Sequence, residues 1–302
     1  MQSSSSFSTP PTSSEGRLLD GPLRAALSGL SLPTHRIRGA LPGMHPGSGP
    51  GAGEDFFQHR PHGPGEDVRA VDWRASARLG HLVVKERHRP LRQPLLLLLD
   101  ATDSMGFPLG GPTKRHRARQ LGAALAFLAL GRGDPVRLDV LGPRGFSPAG
   151  RALPVGQASS AAEALLSREG GGRGDVGKAL AALSADALAG THTVLLSDCY
   201  GETGPLLSGL ARLVRSAAAV TVLHVLCASD FGLPSGEASF RDVESGEALA
   251  VPLEEARALP GRVEAWRAVL RAGAARAGAE WVSVEASAPP GVALRRWLGG
   301  KG

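Results

Sequence analysis

The chain is poor in cysteine and in aromatic residues: two cysteines, Cys199 and Cys227, and one tyrosine in 302 residues, with aromatics at 4%. Two cysteines cannot staple a disulfide framework. Both fall in or beside apolar strand-like runs, which reads as buried free thiols in a reducing cytoplasm. So few aromatics leave no stacking platform for RNA bases. No apolar run approaches the roughly 18 residues that a membrane-spanning helix requires. The opening MQSSSSFSTPPTSSEG has neither the basic nor the apolar region of a secretory leader, and reads as a disordered tail over residues 1–16. Three catalytic signatures are also missing: the G-x-x-x-x-G-K-S/T phosphate loop, the G-x-S-x-G elbow and H-E-x-x-H. Any ATP-driven work must therefore belong to another protein.

Charge is present but unevenly placed. The formal net charge is +6, and residues 1–119 hold 16 Lys+Arg against 10 Asp+Glu, while residues 120–302 hold 18 against 18. A basic amino-terminal part can serve nucleic acid or an acidic protein partner, and an arginine-rich composition also follows from a GC-rich genome. No helix-turn-helix or zinc-finger spacing accompanies it, so the expectation is no nucleic-acid binding.

From Gly39 to Gly65 the text is dense in Gly, Pro and His without an apolar period, and reads as loop. Val68, Val71 and Trp73, then Leu82 to Val84, suggest short strands or a turn-rich arm before the core. Residues 17–93 thus form a loop-rich and β-containing arm. After Pro94 strands and helices alternate: strands at Leu95–Leu99, Val136–Leu141, Thr193–Leu196, Val220–Leu226 and Trp281–Glu285. Helices are predicted at Arg115–Leu130, Ser159–Ser167, Val176–Leu188, Leu206–Ser216, Leu253–Ala277 with a break near Pro260, and Val292–Leu298. Residues 240–251, FRDVESGEALAV, carry a Ser-Gly turn between two β-like arms, a late β-hairpin. The alternation predicts an α/β domain over 94–302 with a doubly wound, mostly parallel sheet.

The stretch PLLLLLDATDSMGF, residues 94–107, carries the chemistry. Its leucines run into Asp100, Thr102 and Ser104, which point the same way if the segment is extended. In such sheets ligands bind beyond the carboxyl ends of the strands. A second carboxylate, Asp198 in TVLLSDCYG, stands at another strand end. Carboxylates and hydroxyls are the ligands hard divalent cations take.

D-x-S/T-x-S after a buried strand, and S-D after a later one, resemble the metal-ion-dependent adhesion site of von Willebrand factor A domains. PGEDVRAVDWRASARLGHLVVKE followed by LLLLLDATDSMGF resembles the bacterial domain-of-unknown-function 58 family, and RDVESGEALAV is similar to that family's late segment. The likeness runs over residues 37–298. It implies a von Willebrand factor A-like, Rossmann-like fold in which Thr102 and Ser104 touch Mg²⁺, with Asp100 and Asp198 holding it directly or through water. It also implies a non-catalytic cytoplasmic adaptor, working with a MoxR-type AAA+ ATPase on a client protein. One part departs from the pattern: the adhesion-site loop that carries a threonine reads GGGRGDVGKAL here, so Gly174 stands at the hydroxyl's place, which implies that Asp175 or a water fills the gap or that the site binds metal weakly.

Simpler readings compete. Asp100 with small neighbours can cap a helix or satisfy loop amides. An enzyme, a metal-dependent phosphohydrolase using Asp100 and Asp198, is the alternative function, but aspartyl-phosphate chemistry normally needs a second aspartate where Thr102 stands. The Arg173–Asp175 RGD has no extracellular setting. His45, His59 and His62 near Asp55 match no compact zinc spacing. Arg69, Asp72, Trp73 and Arg78 read as a clamp of the arm on the sheet, with Arg74 and Arg78 as candidate partner contacts.

Overall fold

The computed structural model describes residues 18–33, 48–64, 66–90, 92–108, 112–142, 144–150, 153, 163, 166, 171–230, 238–241, 248–251 and 253–299. The expected tail, the turn of the late hairpin and nearly all of the helix expected over 159–167 lie outside them.

Asp20 opens the first helix, α1 (Gly21–Ala26), by accepting the Leu23 amide on its side chain. Leu18, Leu19, Leu23, Leu27 and Leu32 are buried in the main core cluster, so this part of the expected arm packs into the α/β core. β1 (Ser48–Pro61) follows, where the Gly/Pro-rich text reads as loop. After α2 (Trp73–Leu79), it pairs antiparallel with β2 (Val83–Pro90) as a separate two-stranded ribbon. Such a ribbon is held by its backbone ladder. Its register also shifts between Gly51 and Phe56 and between Phe56 and Gln58, so no period of 2 marks it in the sequence.

Of the two readings of the segment around Val68 and Trp73, short strands or a turn-rich arm, the turn is found: a 3₁₀ turn (Val68–Ala70) leads into α2. Asp72 caps α2 by accepting the Ala75 amide, and Gly80 closes it in the left-handed region at φ 73°. An aspartate and a glycine bracketing seven residues outweigh a few scattered β-formers.

The leucine run decides the rest. Six strands pair in the order β10 (Glu280–Glu285), β7 (Ala219–Leu226), β6 (His192–Ser197), β3 (Leu95–Asp100), β4 (Val136–Gly142), β5 (Gly145–Pro148). All pairings are parallel except β4 with the edge strand β5. Numbered within the sheet the order is 3-2-1-4-5-6, that of doubly wound α/β proteins. Successive side chains of β3 point to opposite faces. Leu95, Leu97 and Leu99 join α3 (Lys114–Arg132) and α8 (Pro290–Leu298). Leu96 and Leu98 join α4 (Val176–Ala182), α6 (Thr203–Ser216) and α7 (Leu253–Ala277). The fold is the expected α/β class with a mostly parallel central sheet.

Two helix expectations are refined. The helix expected over Val176–Leu188 is divided into α4 and α5 (Ala185–Leu188), because Leu183 is extended and Ser184 caps the second piece by accepting the Ala187 amide. α7 runs unbroken past Pro260, which faces solvent. The late hairpin is present as β8 (Ala238–Arg241) paired antiparallel with β9 (Ala248–Val251). Cys199 and Cys227 are buried free thiols.

α4 and α6 approach through Gly177, where an added Cβ would lie 2.6 Å from the Leu206 amide nitrogen. Gly261, in α7, has nothing within 4 Å of the same position. Gly177→Ala should therefore destabilise by about 1–3 kcal/mol through overpacking, whereas Gly261→Ala should stabilise by about 0.5–1 kcal/mol through helix propensity. Urea denaturation of the two variants checks the pair, and equal effects would contradict the close helix approach.

A candidate cation site at the carboxyl edge of the sheet

Parallel pairing sets Leu99 of β3 beside Leu196 of β6, so the chain leaves both strands at the same edge. Asp100 and Ser197 end those strands side by side, and the Ser197 hydroxyl donates to Asp100 Oδ2 at 2.6 Å. The other oxygen, Oδ1, accepts the Thr102 amide at 3.0 Å and the Thr102 hydroxyl at 2.7 Å. Thr102 Oγ1 lies 3.1 Å from Ser104 Oγ. Asp100, Thr102 and Ser104 therefore converge as expected, but by a different route. Thr102 is extended, and Asp103–Gly106 then turn as a 3₁₀ helix that folds Ser104 back.

Asp198 follows directly on β6. Cys199 after it has φ 57°, an uncommon left-handed position for a residue with a side chain. The turn lets Asp198 Oδ1 accept the Tyr200 amide at 3.2 Å, while the Asp198 carbonyl accepts from His224 Nε2 at 2.9 Å. Burial drops the His224 pKa to about 4, so its ring is neutral at pH 7.

The loop before α4 completes the edge. Asp103 Oδ1 accepts the Gly172 amide at 2.8 Å, and the Asp103 amide donates to the Gly172 carbonyl at 3.2 Å. A Cβ on Gly174 would stand 2.9 Å from Thr102 Cγ2 and 3.1 Å from Leu141 Cγ. The position that would carry a third hydroxyl is thus closed by packing. Asp175 is engaged elsewhere: it caps α4 through the Lys178 amide and pairs with Lys178 Nζ at 3.1 Å. Its place beside the site is as an anchor of the helix.

Sequence reasoning missed Lys114 and its partner Asp230. Lys114, the first residue of α3, is 1% exposed, and its Nζ reaches Asp198 Oδ2 at 2.8 Å and Asp230 Oδ1 at 3.3 Å. Burial works against its charge, but the two carboxylates outweigh that and raise its pKa above the ordinary lysine value. Its partners lie 84 and 116 positions away, a distance no local pattern reports. The one available signal was a cation at the positive end of a helix, where it is unfavourable unless paired.

Other expected residues are placed more simply. Arg74 and Arg78 are exposed on α2. The expected clamp is not formed: Asp72 caps α2 and pairs with His59 at 3.0 Å, and Trp73 is 62% exposed. His62 bonds to the Glu66 carbonyl, while His45 and Asp55 offer no described side chain.

A hard cation would find two carboxylates, Asp100 and Asp198, and two hydroxyls, Thr102 and Ser104, which suits its preference for oxygen. Asp100 is 1% exposed, and no ion pair among the described residues reaches it. Its pKa is pushed up to about 6, first by burial and then by the charge of Asp198, against the hydrogen bonds from Ser197 and Thr102. A buried carboxyl so placed fits a cation beside it. Among the described residues no group of three or more His, Cys, Asp or Glu could hold a metal. A cation here would depend on the hydroxyls and on water.

Fold and site together define a doubly wound α/β protein that gathers oxygen ligands at its carboxyl edge. Residues 58–269 match the model of the family described as "Protein of unknown function DUF58", and the chain belongs to that family. Uncharacterized proteins of Mycobacterium tuberculosis and Mycobacterium bovis are 30% identical to it over 247 residues, spanning 78% of this chain and 76% of theirs. Similar solved structures include an aerotolerance-related membrane protein of Bacteroides fragilis (18% identity, 69% of this chain and 98% of that one, TM-score 0.44). The conserved hypothetical protein BatB of Bacteroides thetaiotaomicron (15%, 69% and 98%, 0.43) and the SpRpn10 VWA domain (10%, 68% and 95%, 0.39) are others. At these scores the fold rests on the strand order itself. No helix among the described residues is long and apolar enough to cross a membrane.

The folded pKa of Asp100, about 6, lies above its ordinary 3.8. A raised carboxyl pKa contributes stability that is full below the unfolded value and lost as pH rises through the folded one. In EDTA, the difference in Tm between wild type and Asp100→Asn should therefore shift in favour of the variant from pH 4 to pH 7. Parallel Tm curves over that range would show that Asp100 does not titrate as a buried acid.

Proposed function

We propose that this protein is a non-catalytic binding adaptor whose adhesion-like site offers a cation, Mg²⁺, to a carboxylate of a partner protein. The observation that carries the reading is the pair of hydroxyls, Thr102 and Ser104, 3.1 Å apart above the buried Asp100. Neutral hydroxyls leave a divalent charge under-neutralised, so the cation keeps an affinity for one more anion. Thr102 and Ser104 are the direct ligands in this reading, and Asp100 and Asp198 act directly or through water. The implied partners are a MoxR-type AAA+ ATPase and its client, in the cytoplasm. The two buried free thiols suit that compartment.

The phosphohydrolase alternative is the weaker reading. A nucleophilic carboxylate must be reached by its substrate, yet Asp100 is enclosed and both of its oxygens accept hydrogen bonds. Arg74 and Arg78, exposed and basic, offer a second contact for an acidic partner surface.

Affinity of the purified chain for a MoxR-type ATPase of the same organism tests the proposal. Mg²⁺ should support binding, and EDTA, Asp100→Ala or Ser104→Ala should weaken it about tenfold or more, the scale of one lost charged contact. Thermal melts should show the variants folded. Unchanged affinity in EDTA and in both folded variants would reduce the oxygen cluster to a strand-end cap.

A further inference from the structure

Lys114 is an unexpected group at such a site. It starts α3 at the positive end of the helix dipole and is almost wholly out of water, two conditions that disfavour an ammonium. What holds it is a set of contacts from two other loops at the same sheet edge. Asp198 comes from the end of β6, and Asp230 from the 3₁₀ turn Ala228–Asp230 after β7. The ammonium also lies 4.7 Å from the centre of the Tyr200 ring, which stacks on Trp266 of α7 at 5.4 Å. Asp230 is itself fixed, since its second oxygen accepts the Cys227 amide at 2.7 Å.

The edge is therefore compensated on one side only. Asp198 has a protein cation on Oδ2, whereas among the described residues Asp100 has hydrogen bonds alone. A divalent ion at Asp100, Thr102 and Ser104 needs the charge of Asp198, and that charge is already engaged. Two cations close to one carboxylate repel each other, and in a low-dielectric pocket the repulsion is large.

We infer that Lys114 is an internal competitor for Asp198: it keeps the site folded without metal and holds divalent affinity low, so that loading is favoured only when a partner carboxylate joins the ion. This rests on the cation reading of the site proposed above. The ammonium thereby couples metal occupancy to partner binding, because an added anion offsets the repulsion that Lys114 supplies.

Titration of the full chain with Mn²⁺, followed by electron paramagnetic resonance, tests the inference without a partner. Lys114→Met should bind Mn²⁺ about tenfold tighter or better, as expected when a unit charge leaves a buried site. That variant strands Asp230 and can fail to fold. Lys114→Met/Asp230→Asn relieves this and leaves the net charge of the chain unchanged, so tighter binding by the double variant isolates the release of Asp198 from a general charge effect. In wild type, saturating Mg²⁺ should also shift the ¹⁵Nζ resonance of Lys114 as Asp198 turns to the ion. Wild-type binding with unchanged or weaker affinity in a folded variant, or an unmoved Lys114 resonance, overturns the competition while the cation site stands. No Mn²⁺ binding in wild type or either variant overturns the cation reading and the inference together.

Discussion

A strand of five consecutive leucines has no face to give to water, and that constraint organises the molecule. Leu95, Leu97 and Leu99 need one apolar layer and Leu96 and Leu98 another, so helices must cover both sides of β3. Covering both sides means that the crossover from β3 runs over one face of the sheet and the crossover from β6 over the other. The chain consequently diverges at the carboxyl ends of these two neighbouring strands. Asp100 and Asp198 are polar residues at the ends of two apolar strands, and the divergence makes room for them without breaking the core.

Room is not enough, because both carboxylates remain buried and burying like charges together is costly. The protein answers in two ways. It gives Asp198 an ammonium, reached only because α3 starts at the same edge, and it gives Asp100 three hydrogen bonds from Ser197 and Thr102. The turn that carries Thr102 and Ser104 is secured by the Asp103 carboxylate on the Gly172 amide and by Arg115 on the Thr102 carbonyl. Hydroxyl placement and charge compensation are thus tied to the same loops, and a change in one alters the other.

The adhesion-like pattern is also trimmed in this chain. Gly174 packs so closely on Thr102 and Leu141 that a threonine there would require both to move, and Asp175 serves α4. With that loop closed, the oxygen set is concentrated on the β3 turn and on Asp198. For the cation proposed above, this arrangement would leave more of the coordination to water or to a partner than a site with three protein hydroxyls.

The sequence by itself determined what depends on near neighbours. Strand and helix alternation, the uninterrupted apolar run and the late hairpin all follow from spacing that can be counted, whereas Asp100, Thr102 and Ser104 converge through a 3₁₀ turn that the alternating spacing did not specify. The same local rules also explain the misreadings around residues 48–80. A two-stranded ribbon with register shifts carries no apolar period, and the Asp72 and Gly80 signals that bracket α2 follow the β-formers Val68 and Val71 closely enough to be masked by them. Tertiary structure alone decided that Lys114 meets Asp198 and Asp230 and that Gly174 is walled in by Thr102 and Leu141. Each joins segments far apart in the chain. Their geometry is set by how layers pack on the sheet, and a contact of that kind leaves no periodic trace in the order of the residues.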